Sequence, residues 1–304
     1  MTGRRWKWCW IPTRPRLASA EPAMLSRKQY RTADGLALVA DTGGPEDAPV
    51  VVLMHGGGQT RHSWSGATRS LAGRGYRVIN IDARGHGESD WSPQSAYSFD
   101  DLVLDVEAAL ADVTAPFALV GASMGGATSI HAVAKGLRPN AVVLVDIVPE
   151  LEDEGVHRIR DFMVRNAHGF ADLDEAADAV ALYHPERPRP DDPSGLMKNL
   201  RRRDDGRLYW HWDPEILAAN ISTAVIDTIQ RSAQALGSCP DLPVLLVRGL
   251  LSDVVSDKGV AAFREQVPQL EVADVAAAGH MVAGDRNDAF NAAVQDFLAR
   301  HMPA

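Results

Sequence analysis

Short continuous apolar runs recur along the chain. They are Pro49-Val-Val-Val-Leu-Met54, Arg77-Val-Ile-Asn-Ile-Asp82, Phe117-Ala-Leu-Val-Gly-Ala122, Ala141-Val-Val-Leu-Val-Asp146 and Pro243-Val-Leu-Leu-Val-Arg248. A strand covered on both faces shows no polar alternation, so these runs predict buried strands of a parallel sheet. Arg27 to Thr32 and Leu36 to Asp41 alternate instead, around Asp34-Gly35, which predicts a hairpin of edge strands. Between the apolar runs the period changes to that of a helix. Trp64 to Arg74 reads as helical and stops at Gly75, and Phe99 to Val113 carries Leu102, Val106, Leu110 and Val113 at helical spacing. Asp257 to Gln266 and Asp288 to His301 are further helices, with a last strand near Leu270 to Ala273. Alternating strands and helices imply an α/β fold, a mainly parallel sheet with helices on both faces. Ligands in such sheets bind beyond the carboxyl ends of the strands.

The alternation breaks between residues 149 and 236. That stretch is longer than a strand-to-helix connection needs. It holds helical runs at Gly155 to Asn166, Leu173 to Leu182 and Ser194 to Arg202, with a proline-rich break from Pro185 to Pro193. It reads as a helical cap inserted into a core of residues 25–148 and 237–304. Residues 1–24 read as a disordered extension. Arg4-Arg5 suggests a twin-arginine signal, but Trp6-Lys-Trp-Cys-Trp-Ile-Pro is too short and interrupted for its apolar region.

Composition narrows the function classes. The 304 residues are 45% hydrophobic and 23% charged, with a net charge of −9, which argues against nucleic acid as the main partner. Two cysteines, Cys9 and Cys239, form no disulfide or zinc pattern. No run of about 18 apolar residues occurs, so no membrane span and no membrane partner are expected, and the location expected is cytoplasmic. A homodimer is compatible with all of this.

The chemistry centres on Gly121-Ala-Ser123-Met-Gly125. An apolar strand arrives at the first glycine and a helix leaves from the last, so a serine stands at the apex of a sharp turn with its hydroxyl above the sheet edge. A serine needs a base. His280, in Ala278-Gly-His-Met281, follows the last strand, in the serine, acid, histidine chain order of this turn. Asp253, after the strand ending at Arg248, is the preferred acid, and Asp146, ending the strand after the nucleophile helix, is its competitor. Asp257 reads as a helix cap. Backbone N–H groups of Met124 and of Gly57, within His55-Gly-Gly-Gly58, are the expected oxyanion donors. That run is not a phosphate loop, because no Gly-Lys-Ser/Thr follows. His55 and His86 read as organisers of loops. Tyr209-Trp-His-Trp-Asp213 makes the cap aromatic, and Gly58, Trp64, Trp210 and Trp212 are candidates to line a substrate pocket. Lys198 and Arg201 to Arg203 would suit a substrate carboxylate, although a solvated helix end is the preferred reading.

Taken together, Gly121-Ala-Ser-Met-Gly125, His55-Gly-Gly-Gly58, Asp82-Ala-Arg-Gly-His-Gly-Glu-Ser89 and Ala278-Gly-His-Met281 resemble the α/β-hydrolase superfamily, over roughly residues 27–304. The set is similar to its capped branch of small esterases, lactonases, C–C hydrolases and cofactor-free haloperoxidase-like enzymes. The resemblance implies an eight-stranded sheet, no cofactor and no metal. In epoxide hydrolases and haloalkane dehalogenases the elbow residue is aspartate, so Ser123 argues against both activities. The expected function is hydrolysis of a small carboxylic ester through Ser123, His280 and Asp253. Lactone, amide, thioester or C–C cleavage and perhydrolysis remain alternatives on the same triad. A ligand-binding receptor with vestigial hydrolysis is the alternative of another class.

Overall fold

The computed structural model describes residues 24–183, 185, 189–219, 223–276, 278–280 and 287–304. Almost all of the proposed N-terminal extension lies outside them. Eight strands form one sheet: β1 (Ser26–Arg31), β2 (Ala37–Gly43), β3 (Val50–Met54), β4 (Arg77–Ile81), β5 (Phe117–Ala122), β6 (Ala141–Val145), β9 (Val244–Gly249) and β10 (Leu270–Val275). Their spatial order is β1-β2-β4-β3-β5-β6-β9-β10, with β1 and β2 antiparallel and the remaining pairings, from β4 to β10, parallel. The continuous apolar runs are the central strands. Every residue of β3, β6 and β9 is buried, as the lack of alternation requires.

Helices cover both faces. On one side α1 (Ser65–Ala72) and the C-terminal α9 (Asn287–His301) lie over the sheet, where Trp64 packs against Phe290 with ring centroids 5.4 Å apart. On the other lie α2 (Phe99–Leu110), α3 (Met124–Ala134) and α8 (Asp257–Gln266). A capping box starts α2: the Ser98 hydroxyl accepts from Asp101 N–H, and the Asp101 carboxylate accepts from Ser98 N–H.

The cap holds α4 (Asp153–Arg165), α5 (Leu173–Tyr183), α6 (Ile216–Ala219) and a small antiparallel hairpin of β7 (Leu200–Arg202) and β8 (Leu208–Trp210). Two expectations need correcting. Ser194 to Arg202 is not one helix: a 3-10 turn over Pro193–Asn199 runs into β7. Secondly, α7 (Thr223–Gly237), placed by the sequence reading in the cap, belongs to the core. Its Ile229, Ala233 and Leu236 are buried in one cluster with Ala127, Ile130 and Val133 of α3. Each large apolar side chain buried there contributes roughly 1.5–3 kcal/mol to holding the helix on the core. The cap has its own core, in which Trp210 stacks on Trp212 at 5.0 Å and meets Phe170 edge-on at 5.1 Å.

Strand register brings the chemistry to one edge. Met54 pairs with Gly121, Ala122 with Val145, and Val145 with Val247. The ladder continues one step further, from Ser123 N–H to Val145 O at 3.0 Å and from Asp146 N–H to Val247 O at 2.9 Å. The loops after β3, β5, β6 and β9 therefore emerge side by side.

Candidate active site

Ser123 has φ 46° and ψ −111°, a conformation L-residues avoid and one that costs about 1–3 kcal/mol. Space around the turn explains why it is flanked by glycine. A Cβ on Gly121 would lie 2.2 Å from the carbonyl carbon of Gly125, and one on Gly125 would lie 2.5 Å from Met54 O. The helix α3 then starts at Met124, so the unpaired N–H groups of its first turn gather behind the serine.

His280 and Asp146 are in contact. His280 Nδ1 donates to Asp146 Oδ2 at 2.7 Å. Asp146 is fully buried and has φ 51°, a left-handed conformation that aspartate tolerates better than most residues. This corrects the preference for Asp253. Asp253 Oδ2 pairs instead with Arg158 Nη2 of α4 at 2.8 Å, and its backbone carbonyl packs against Gly155. Strand β6 delivers Asp146, the residue that follows its end, beside His280. Asp253, by contrast, lies beyond the turn at Ser252, where it faces the cap. Ser252 itself reaches back, with Oγ 2.5 Å from Asp146 Oδ2. Asp257 begins α8 behind the Ser256 cap and binds Arg248 at 2.6 Å.

The glycine loop lies against the serine. A Cβ on Gly56 would stand 3.4 Å from Ser123 Cβ, while one on Gly57 would meet nothing within 4 Å. Gly57 thus has open space on its Cβ side, one residue on from the contact of Gly56 with Ser123. Gly58, with φ 71°, carries the roof: a Cβ there would be 3.3 Å from Met163 Cε and 3.4 Å from the Trp212 ring. Trp210 stands behind Trp212 in the cap core. Trp64 does not belong to the pocket, because its ring is buried under α1 against Phe290. The Arg201 to Arg203 cluster is also engaged elsewhere. Arg201 donates to Gly87 O and lies 5.6 Å from the Trp91 ring, Arg202 donates to Gly206 O, and Arg203 covers the Tyr209 ring at 3.9 Å. Lys198 is exposed.

Three buried histidines hold the glycine loop, and their bonds define their tautomers. His55 Nε2 accepts from Ala83 N–H at 3.1 Å, so Nδ1 carries the proton and donates to Gly56 O at 2.8 Å. His86 Nε2 accepts from Gly58 N–H at 3.2 Å and Nδ1 donates to Arg84 O at 3.1 Å. His211, from the cap, accepts from Gly87 N–H at 2.7 Å on Nδ1 and donates to Gly58 O at 3.3 Å from Nε2. Gly58 is thereby gripped at both backbone groups, once by the core and once by the cap. The sequence pointed to His55 and His86 as loop organisers but gave no such signal for His211, which reads there only as part of an aromatic run.

Burial drives all three rings toward the neutral form, and for His86 the pKa is pushed down to about 3, aided by the neighbouring His55. An unfolded histidine charges near 6.5. The depressed folded value means the unfolded chain binds more protons between these limits, so this stability is complete above about 6.5 and declines as pH falls toward about 3. His86→Gln should therefore flatten the dependence of unfolding free energy on pH between about 6.5 and 5, by an amount that approaches about 1.4 kcal/mol per pH unit toward pH 5, relative to the wild type. Urea unfolding across that range reads the slopes directly, and equal slopes would contradict the depressed pKa of His86.

The fold and the serine elbow together define an α/β-hydrolase. Comparison with known proteins agrees, and a family model described as serine aminopeptidase, S33 matches residues 45–287. The chain belongs to that family and is a hydrolase. It is 29% identical over 250 residues to Esterase Rv0045c of Mycobacterium tuberculosis, covering 79% of each chain. It is 27% identical over 264 residues to sn-1-specific diacylglycerol lipase ABHD11 of Mus musculus, covering 84% of this chain and 83% of that one. Among solved structures, an α/β hydrolase from Novosphingobium aromaticivorans superposes with a TM-score of 0.76 at 25% identity, covering 91% of this chain and 98% of the other. No helix among the described residues is long and apolar enough to cross a membrane.

Proposed function

We propose that this protein is a serine esterase that cleaves a small carboxylic ester through an acyl-enzyme, with Ser123, His280 and Asp146 as its triad. The observation that carries this reading is the 2.7 Å bond from His280 Nδ1 to Asp146, made at the sheet edge that presents Ser123. Because Nδ1 spends its proton on Asp146, Nε2 is left with a lone pair to act as base. In the forward step Ser123 Oγ attacks the ester carbonyl while His280 Nε2 takes its proton. Asp146 keeps the ring oriented and stabilises the imidazolium. The N–H groups of Gly57 and Met124 hold the oxyanion. On collapse, the proton passes from His280 to the leaving alcohol. Water then attacks the acyl-enzyme with His280 as base, and Ser123 is regenerated.

Ester rather than another acyl bond is favoured by the relatives, which are named as an esterase and a lipase. Met163 and Trp212 over Gly58 suit an apolar group on the substrate. A substrate carboxylate is not favoured, since the guanidinium groups that would bind it are engaged elsewhere. A fluorophosphonate probe followed by peptide mapping is expected to label Ser123, with p-nitrophenyl acetate and butyrate turned over faster than matched amides. Absence of label at Ser123 would overturn the proposal, and preferential turnover of amides would remove the ester assignment.

A further inference from the structure

We infer that Ser252 is a positioning residue that fixes the carboxylate of Asp146 for catalysis, an inference that rests on the triad proposed above. The argument is one of hydrogen-bond capacity. A serine hydroxyl has one proton and two acceptor sites. Ser252 Oγ accepts from Val254 N–H and from Val255 N–H, both at 3.2 Å. With its acceptor sites occupied, its single proton is directed to Asp146 Oδ2, 2.5 Å away. That oxygen is the same one that takes the proton of His280 Nδ1. The other carboxylate oxygen accepts from Gly249 N–H at 3.2 Å.

Three donors thus set the plane of one fully buried carboxylate: Gly249 at the end of β9, Ser252 in the loop after it, and His280. Without Ser252 the carboxylate keeps, besides His280, only the backbone donor of Gly249 at the end of β9, on the oxygen that does not face His280, and rotation about its Cβ–Cγ bond is less restrained. Val254 and Val255 N–H lose their acceptor at the same time, which loosens the turn. The turn is pinned on its outer side by Arg158 on Asp253 and by the contact of Asp253 O with Gly155. Ser252 therefore links a cap-anchored loop to the acid of the triad without touching substrate.

A hydrogen bond from a neutral donor to a charged group is worth enough to change a rate by about 10- to 100-fold when it is needed in the transition state. The test is steady-state hydrolysis of p-nitrophenyl butyrate by the full chain. Ser252→Ala is expected to lower kcat by about 10- to 100-fold with KM within about twofold, and Ser252→Thr, which keeps the hydroxyl, to recover most of the loss. A wild-type kcat in Ser252→Ala, or a rise in KM with kcat unchanged, would overturn the inference. If Ser252→Ala does not fold, Ser252→Cys retains the volume with a weaker donor and is judged by the same split. Ser123→Ala separates the two levels. If it is inactive while Ser252→Ala is normal, only the role of Ser252 fails. If Ser123→Ala is fully active, the triad itself fails.

Discussion

Ser123→Ala is expected to abolish esterase turnover, lowering kcat by about 10⁴- to 10⁶-fold while leaving KM little changed. The substitution removes the attacking oxygen and nothing else. The Cβ stays where Gly56 accommodates it, so the packing of the elbow is retained. The residual rate should still exceed that in water, because the oxyanion donors and the roof persist. Full progress curves with p-nitrophenyl butyrate, run beside thermal melts of both proteins, measure the effect. Undiminished turnover in a folded variant would remove Ser123 from the reaction.

The second large effect concerns the acid. Asp146→Asn should cost about 10⁴-fold in kcat, because an amide facing Nδ1 favours the tautomer that carries its proton on Nε2, where the base has to accept. Asparagine also tolerates the left-handed backbone found at this position, so the fold is kept. Asp253→Asn should change kcat by no more than about threefold, since its ion pair with Arg158 is of the partly exposed kind worth about 0–1 kcal/mol. The two variants make a paired test. If Asp253→Asn proves the more damaging, the acid lies in the loop after β9.

Much of the architecture could be read from the chain. Central strands were visible because burial on both faces erases alternation, and the elbow because its glycines are demanded by close approach of backbone to backbone. Asp146 against Asp253 could not be decided in that way. Both follow a buried strand, and the difference lies in which side of a turn faces the sheet edge, a three-dimensional property. The same holds for α7. Its apolar face is as periodic as those of the cap helices, and only packing against α3 assigns it to the core. Trp64 was misread because an aromatic residue near a glycine loop points toward the ligand or away from it according to the pitch of the turn that follows. His211 left no trace in the sequence, since its role depends on a loop more than a hundred residues away.

The grip of His211 on Gly58 bears on how this enzyme would respond to redesign. The segment just after β8 that supplies Trp212 to the roof also supplies, in His211, a brace for the loop carrying Gly57. Exchanging the cap for that of another esterase, to alter substrate range, would remove His211 along with Trp212. A graft that omits an equivalent imidazole would be selected against for slow turnover even if its new pocket suited the new substrate. In this protein one residue of the glycine loop, Gly58, is held at the same time by a core histidine and by a cap histidine, so the two regions cannot be changed independently.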